Sequence, residues 1–151
     1  MPDLRELYQE TILEHNKKPR NFKKLEHPTH FAEGYNPLCG DHLMVYLRVY
    51  KNGLIEDISF EGEGCAISKA SASLMTDAVK GQTIADARAL FQKFHAMVTT
   101  PIDQPVDDAA VGKLAVLAGV REFPARVKCA SLCWHTLMAA LEGSDQPAKT
   151  E

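Results

Sequence analysis

Between residues 62 and 65 the chain changes period, and that break limits the folds open to it more than any other feature. Before the break, the run 42–50 is rich in Val, Tyr and Leu. Asn52-Gly53 then supplies the residues that a tight hairpin turn prefers, ahead of a second strand over 54–61. After the break, Ile67, Ala70, Ser71, Leu74, Met75 and Ala78 mark one face of a helix, with Gly81 as its stop. Gly62 and Gly64 end the strand and let the backbone bend closely around Cys65, which falls at or near the helix N-terminus.

The flanking segments complete the pattern. Leu4, Leu7, Tyr8, Thr11 and Ile12 predict an amphipathic first helix ending near residues 16–19, and a first strand is expected over 31–35. Thr83 and Asp86 make a capping-box signal for a helix with the stripe Ile84, Ala87, Leu90, Phe91, Phe94 and Val98. Asp107-Asp108 mark the start of a short helix through Val111, Leu114, Ala115 and Ala118, with Gly119 as its end. Pro124 opens a final helix carrying Val127, Leu132, Leu137, Met138 and Leu141, stopped by Gly143. The order of one helix, three strands and then a run of helices predicts an α+β fold: a small antiparallel three-stranded sheet with helices packed on one face. It is expected as a single domain over 1–143, with the polar segment 144–151 as a disordered tail.

Composition fits that size, since 45 % hydrophobic residues in 151 are enough for one core that buries roughly two-thirds of the unfolded surface. A net charge of −3 argues against a general nucleic-acid binder, which needs a basic excess. Residues 1–14 carry Asp3, Glu6, Glu10 and Glu14 where a secretory signal would be basic and then apolar, and no apolar run reaches the ~20 residues that span a bilayer. A cytoplasmic location without membrane attachment is therefore expected. In that compartment the four cysteines are reduced, metal-bound or reactive rather than paired.

Three of those cysteines and one aspartate stand where loops meet regular elements. Cys39 and Asp41 lie in Asn36-Pro37-Leu38-Cys39-Gly40-Asp41, Cys65 in Gly62-Glu63-Gly64-Cys65-Ala66-Ile67-Ser68, and Cys129 in Arg126-Val127-Lys128-Cys129-Ala130. Zinc accepts thiolate and carboxylate in a closed tetrahedron, so the four side chains meet its ligand count without water. The long gaps leave spacing alone undecided between such a site and three ordinary buried thiols. Helix N-termini stabilise thiolate at Cys65 and Cys129, and Arg126 and Lys128 either offset the anionic centre or simply form a solvated helix start. Cys133 lies one turn beyond Cys129 beside Leu132 and Trp134, which favours packing over ligation. None of the histidines shows zinc-protease spacing. His42 follows Asp41 and should point to the opposite side of a strand. Gly62-Glu63-Gly64 is too short for a phosphate-binding fingerprint.

At these residues the chain resembles the U-type iron–sulfur cluster assembly family, and within it the SufU branch. The resemblance is carried by the Asn36 to Asp41 motif, by Gly62 to Ser71, and by Phe123-Pro124-Ala125-Arg126-Val127-Lys128-Cys129-Ala130, in that order, and it extends over roughly residues 4–141. Lys128 stands where the related IscU scaffolds have His, the connection 81–122 looks like the longer SufU form, and an IscU-type Leu-Pro-Pro-Val-Lys chaperone motif is absent. The resemblance implies zinc on Cys39, Asp41, Cys65 and Cys129, with Cys39 matching the family's sulfur-accepting cysteine. It also implies partnership with a SufS-type cysteine desulfurase, a zinc-dependent sulfurtransferase role, and delivery of sulfur toward a downstream cluster-assembly scaffold. The alternative is that an iron–sulfur cluster is assembled on the same ligands in this protein itself. Cys133 lies outside the motif and inherits no role.

Overall fold

Strand alternation decides which side of the sheet becomes core. The computed structural model describes residues 4–105, 111–143 and 148–149. After helix α1 (Leu4–Lys17) come strands β1 (His30–Asn36), β2 (Asp41–Val49) and β3 (Ile55–Glu63), paired as an antiparallel meander. Rows across the sheet place Ala32, Val45 and Phe60 side by side, and Leu47 beside Ile58. All five of these side chains are buried. Phe31, Glu33, Tyr35 and His42 alternate to the opposite, exposed face. The Asn52-Gly53 turn closes the β2–β3 hairpin with Gly53 at a positive φ, as its sequence predicts.

Helices cover the apolar face. These are α2 (Ala66–Val79), α3 (Ile84–Thr99), a 3₁₀ helix (Gly112–Glu122) and α4 (Pro124–Glu142), and α4 lies against β1, β2 and α2. Thr83 caps α3 by accepting the Asp86 N–H, and Gly143 ends α4 in the left-handed conformation. Trp134 at the centre of α4 is fully buried and stacks on Phe94 of α3 at 5.1 Å. The predicted α+β arrangement, with its antiparallel meander and one helix-covered face, is the one observed.

Three local expectations need revision. Leu7 is 41 % exposed, because the buried stripe of α1 runs through Tyr8, Ile12 and His15, one helical position around. His15 meets the core through a 2.7 Å hydrogen bond between its Nδ1 and Ser73 Oγ. Gly119 does not end its helix, which continues to Glu122. Its missing side chain instead admits the Tyr8 ring, whose Cγ would lie 3.2 Å from a Cβ at that position. The start expected at 107–108 falls outside the described residues. At the C-terminus, Ala148–Lys149 form a short strand, β4, beside Gly34 and Tyr35 in parallel, giving the sheet order β3-β2-β1-β4. The rest of the expected tail, 144–147 and 150–151, lies outside the described residues.

Gly34 shows how tightly α4 is seated. A Cβ there would stand 1.9 Å from Thr136 Oγ1 and 3.2 Å from Leu132 Cδ1. Gly34→Ala is therefore expected to lower stability by about 1–3 kcal/mol through overpacking, measured as a shift in the urea midpoint at unchanged m-value. Adding Thr136→Ala should recover part of the loss, and two independent, additive effects would contradict this contact.

Candidate metal centre

The last row of the core face is polar. Asn36 and Asp41 are register partners at the end of the β1–β2 hairpin, on the side of the sheet that carries Gly34 and Leu43, and both are fully buried. They point beneath the helix layer at the end where α2 begins. The turn between them carries Cys39, and the Gly40 N–H donates to Asn36 O at 2.9 Å with Gly40 at a positive φ.

Asp41 is fixed from the neighbouring chain crossing. Its Oδ1 accepts the Cys65 backbone N–H at 2.8 Å, and its Oδ2 lies 3.7 Å from Cys65 Sγ. This approach requires Gly64, because a Cβ there would come within 2.9 Å of Asp41 Oδ1. Gly62 has a different task from the one its sequence position suggests. It lies inside β3 at φ 137°, where a Cβ would meet His42 O at 2.1 Å, so it permits close strand pairing. Cys65 is the N-cap of α2, its Sγ accepting the Ser68 N–H at 3.4 Å.

Cys129, buried in the second turn of α4, brings the third sulfur. Its Sγ is 3.3 Å from Cys39 Sγ and 3.8 Å from Asn36 Nδ2. One ligand atom each from Cys39, Asp41 and Cys129 lies within 4.8 Å of the others. Cys65 adjoins this group through Asp41. A tetrahedral zinc with Zn–S near ~2.3 Å needs ligand atoms roughly 3.5–3.8 Å apart, so these donors suit the ion in kind and would close on it by shifts of up to about 1 Å, with Cys65 drawn in beside Asp41.

The electrostatics match that use. Cys65 is lowered to about 7, chiefly because the Cys129 thiol hydrogen-bonds its thiolate; burial opposes the shift, the Ser68 N–H adds to it and Asp41 works against it. Cys129 moves the opposite way, since it supplies that hydrogen bond to Cys65 and is itself buried. Of the pair, Cys65 at the helix N-terminus is the more acidic thiol. Arg126 lies 4.3 Å over the Phe123 ring. The Tyr8 hydroxyl is held above its usual range by burial, with Arg126 opposing and the nearby Cys65 and Cys129 contributing.

The other candidates fall outside this group. Cys133 is buried against Ser71, 3.4 Å between Sγ and Oγ, and burial pushes its thiol up to about 12. His42 projects to the open sheet face, 2.5 Å from Glu33, as the strand alternation predicts. Asn36 is the residue that sequence reasoning left without a role. Its signal was available, because strand alternation from Ala32 and Gly34 puts it on the core face, where an amide needs partners.

Residues 7–130 match the family model described as the NifU-like N terminal domain. The chain is 40 % identical over 132 residues to the zinc-dependent sulfurtransferase SufU of Bacillus subtilis (strain 168), covering 87 % of this chain and 86 % of that protein. It is 34 % identical over 141 residues to the iron–sulfur cluster assembly scaffold protein IscU of Thermotoga maritima, covering 93 % and 96 %. The crystal structure of FiSufU from Fervidobacterium islandicum AW-1 superposes with a TM-score of 0.80 at 32 % identity, over 90 % of this chain and 97 % of that one.

Asp41→Ala is expected to weaken zinc binding at least ~10-fold in a competition titration with a chromophoric chelator, more than the loss of an outer-shell partner usually costs. Cys133→Ala should retain wild-type affinity. Equal affinities for Asp41→Ala and the wild type would take the carboxylate out of the coordination sphere.

Proposed function

Since the chain belongs to the NifU-like N-terminal domain family, we propose that it works in iron–sulfur cluster assembly as a zinc-dependent sulfur acceptor for a SufS-type cysteine desulfurase. The observation that carries this reading is the asymmetry of the thiols. Cys129 is buried and Cys65 half-buried, whereas Cys39 is exposed on a turn with its sulfur 3.3 Å from Cys129. Cys39 offers a partner the most accessible sulfur of the set.

Cys39, Asp41, Cys65 and Cys129 are the residues that would hold zinc, which when bound keeps its thiol ligands deprotonated at neutral pH. Cys39 then supplies the nucleophile. Its thiolate attacks the outer sulfur of the partner's cysteine persulfide; a new S–S bond forms at Cys39, the partner's S–S bond breaks, and the partner's cysteine leaves as a thiolate. Electrons balance within the exchange, so no external oxidant or reductant takes part. Leu38, 66 % exposed beside Cys39, gives the turn an apolar tip for docking. Sulfur would pass next to a cluster-assembly scaffold.

The proposal assigns this activity to residues 1–143, with 144–151 as an appended tail, and to the cytoplasm, where thiols stay reduced. Among the described residues no helix is long and apolar enough to cross a membrane. The scaffold role is the second reading, favoured by the relatives named as IscU scaffolds and by a donor set that also suits an iron–sulfur cluster.

The two readings separate by experiment. After reaction with desulfurase and cysteine, peptide mass spectrometry should find the added sulfur on Cys39, and Cys39→Ser should abolish stimulation of desulfurase turnover while Cys133→Ala leaves it intact. Full stimulation by Cys39→Ser would reject Cys39 as acceptor. A stable, transferable, coloured cluster on the wild-type protein without such stimulation would establish the scaffold instead.

A further inference from the structure

Cys39 and Cys129 hold their sulfurs 3.3 Å apart, one exposed and one buried, and the fold contains a polar group that touches only the buried one. Asn36 is fully buried, and its Oδ1 accepts the Leu38 backbone N–H at 3.2 Å. That bond settles the orientation of the amide, because the oxygen faces the only one of these two neighbours that is a backbone donor. Nδ2 is left facing Cys129 Sγ at 3.8 Å, within the longer reach of sulfur. Cys65 likewise receives the Ser68 N–H. Among the described residues, Cys39 Sγ has its one hydrogen-bond contact with Cys129 and receives no amide N–H.

An N–H donated to a thiolate withdraws electron density from the sulfur, lowering its basicity and nucleophilicity without preventing it from binding a metal. We infer that Asn36 is a positioning and selecting residue: its amide holds Cys129 as a ligand and so leaves Cys39 as the thiolate that accepts sulfur. The inference rests on the zinc-centre reading above. The same side chain ties down the turn through Leu38, and its backbone carbonyl accepts the Gly40 N–H. Selection of the sulfur and restraint of the turn therefore meet in one residue.

The two roles can be pulled apart, since Asn36→Asp is nearly isosteric and keeps an acceptor for Leu38 but loses the donor to sulfur, whereas Asn36→Ala loses both. Each protein is loaded with Co²⁺ in place of zinc for its absorption spectrum, and separately treated with limiting N-ethylmaleimide, with labelled cysteines identified by peptide mass spectrometry. In both variants the sulfur-to-cobalt charge-transfer band should move to longer wavelength. The Cys129-to-Cys39 labelling ratio should rise roughly threefold, because a sulfur relieved of its N–H donor is the stronger nucleophile. If Asn36→Asp matches the wild type in band position and labelling, whatever Asn36→Ala does, the amide serves only the turn and the inference is overturned. A wild-type protein that shows no charge-transfer band with Co²⁺ would remove the metal centre itself, and the selection argument with it.

Discussion

A carboxylate with no solvent exposure is tolerated only where its charge is met, and at Asp41 that requirement organises the whole site. Its hydrogen-bond donor comes from a different part of the chain, the Cys65 backbone N–H, so the hairpin and the start of α2 must be locked together before the buried carboxylate is satisfied. Gly64 exists in this arrangement as an absence of side chain. Gly62, one strand row away, removes the Cβ that would force β2 and β3 apart. The candidate metal centre thus lies where a polar row ends an otherwise apolar sheet face, anchored by the buried Leu43, Val45 and Leu47.

Rigidity and access are divided among the thiols. Cys129 and Cys65 sit on helices packed into the core, while Cys39 occupies a four-residue turn between paired strands. A ligand that must leave and return belongs on the element with the fewest packing contacts, and those that keep the ion belong on helices. The positive charge anticipated beside Cys129 is partly committed elsewhere. Arg126 is spread over the Phe123 ring at the start of α4, and its charge also favours ionisation of Tyr8 on α1.

Much of this was legible in the sequence because it depends on local pattern. The change of period at residues 62–65 located the strand-to-helix junction, the Asn-Gly pair located the hairpin, and Thr83 and Gly143 marked helix ends, each through a mechanism confined to a few residues. What escaped was set by distant contacts. Gly119 resembled a helix stop, but the Tyr8 ring decides its role, and Leu7 resembled a core residue until the direction of α1 was fixed by the helices beneath it. Asn36 stood in a recognised motif yet had no assigned function, since its partner Cys129 is 93 residues away. Three motifs pointed to four candidate ligands; only the fold shows that an amide stands among them.

The central claim is that three thiolates and one carboxylate share a single ion. Zinc K-edge X-ray absorption on the purified zinc-bound protein tests it most directly. The account predicts a first shell of three sulfurs near ~2.3 Å and one oxygen at ~2.0–2.2 Å. A shell of nitrogen and oxygen alone, or one with fewer than three sulfurs, would contradict it.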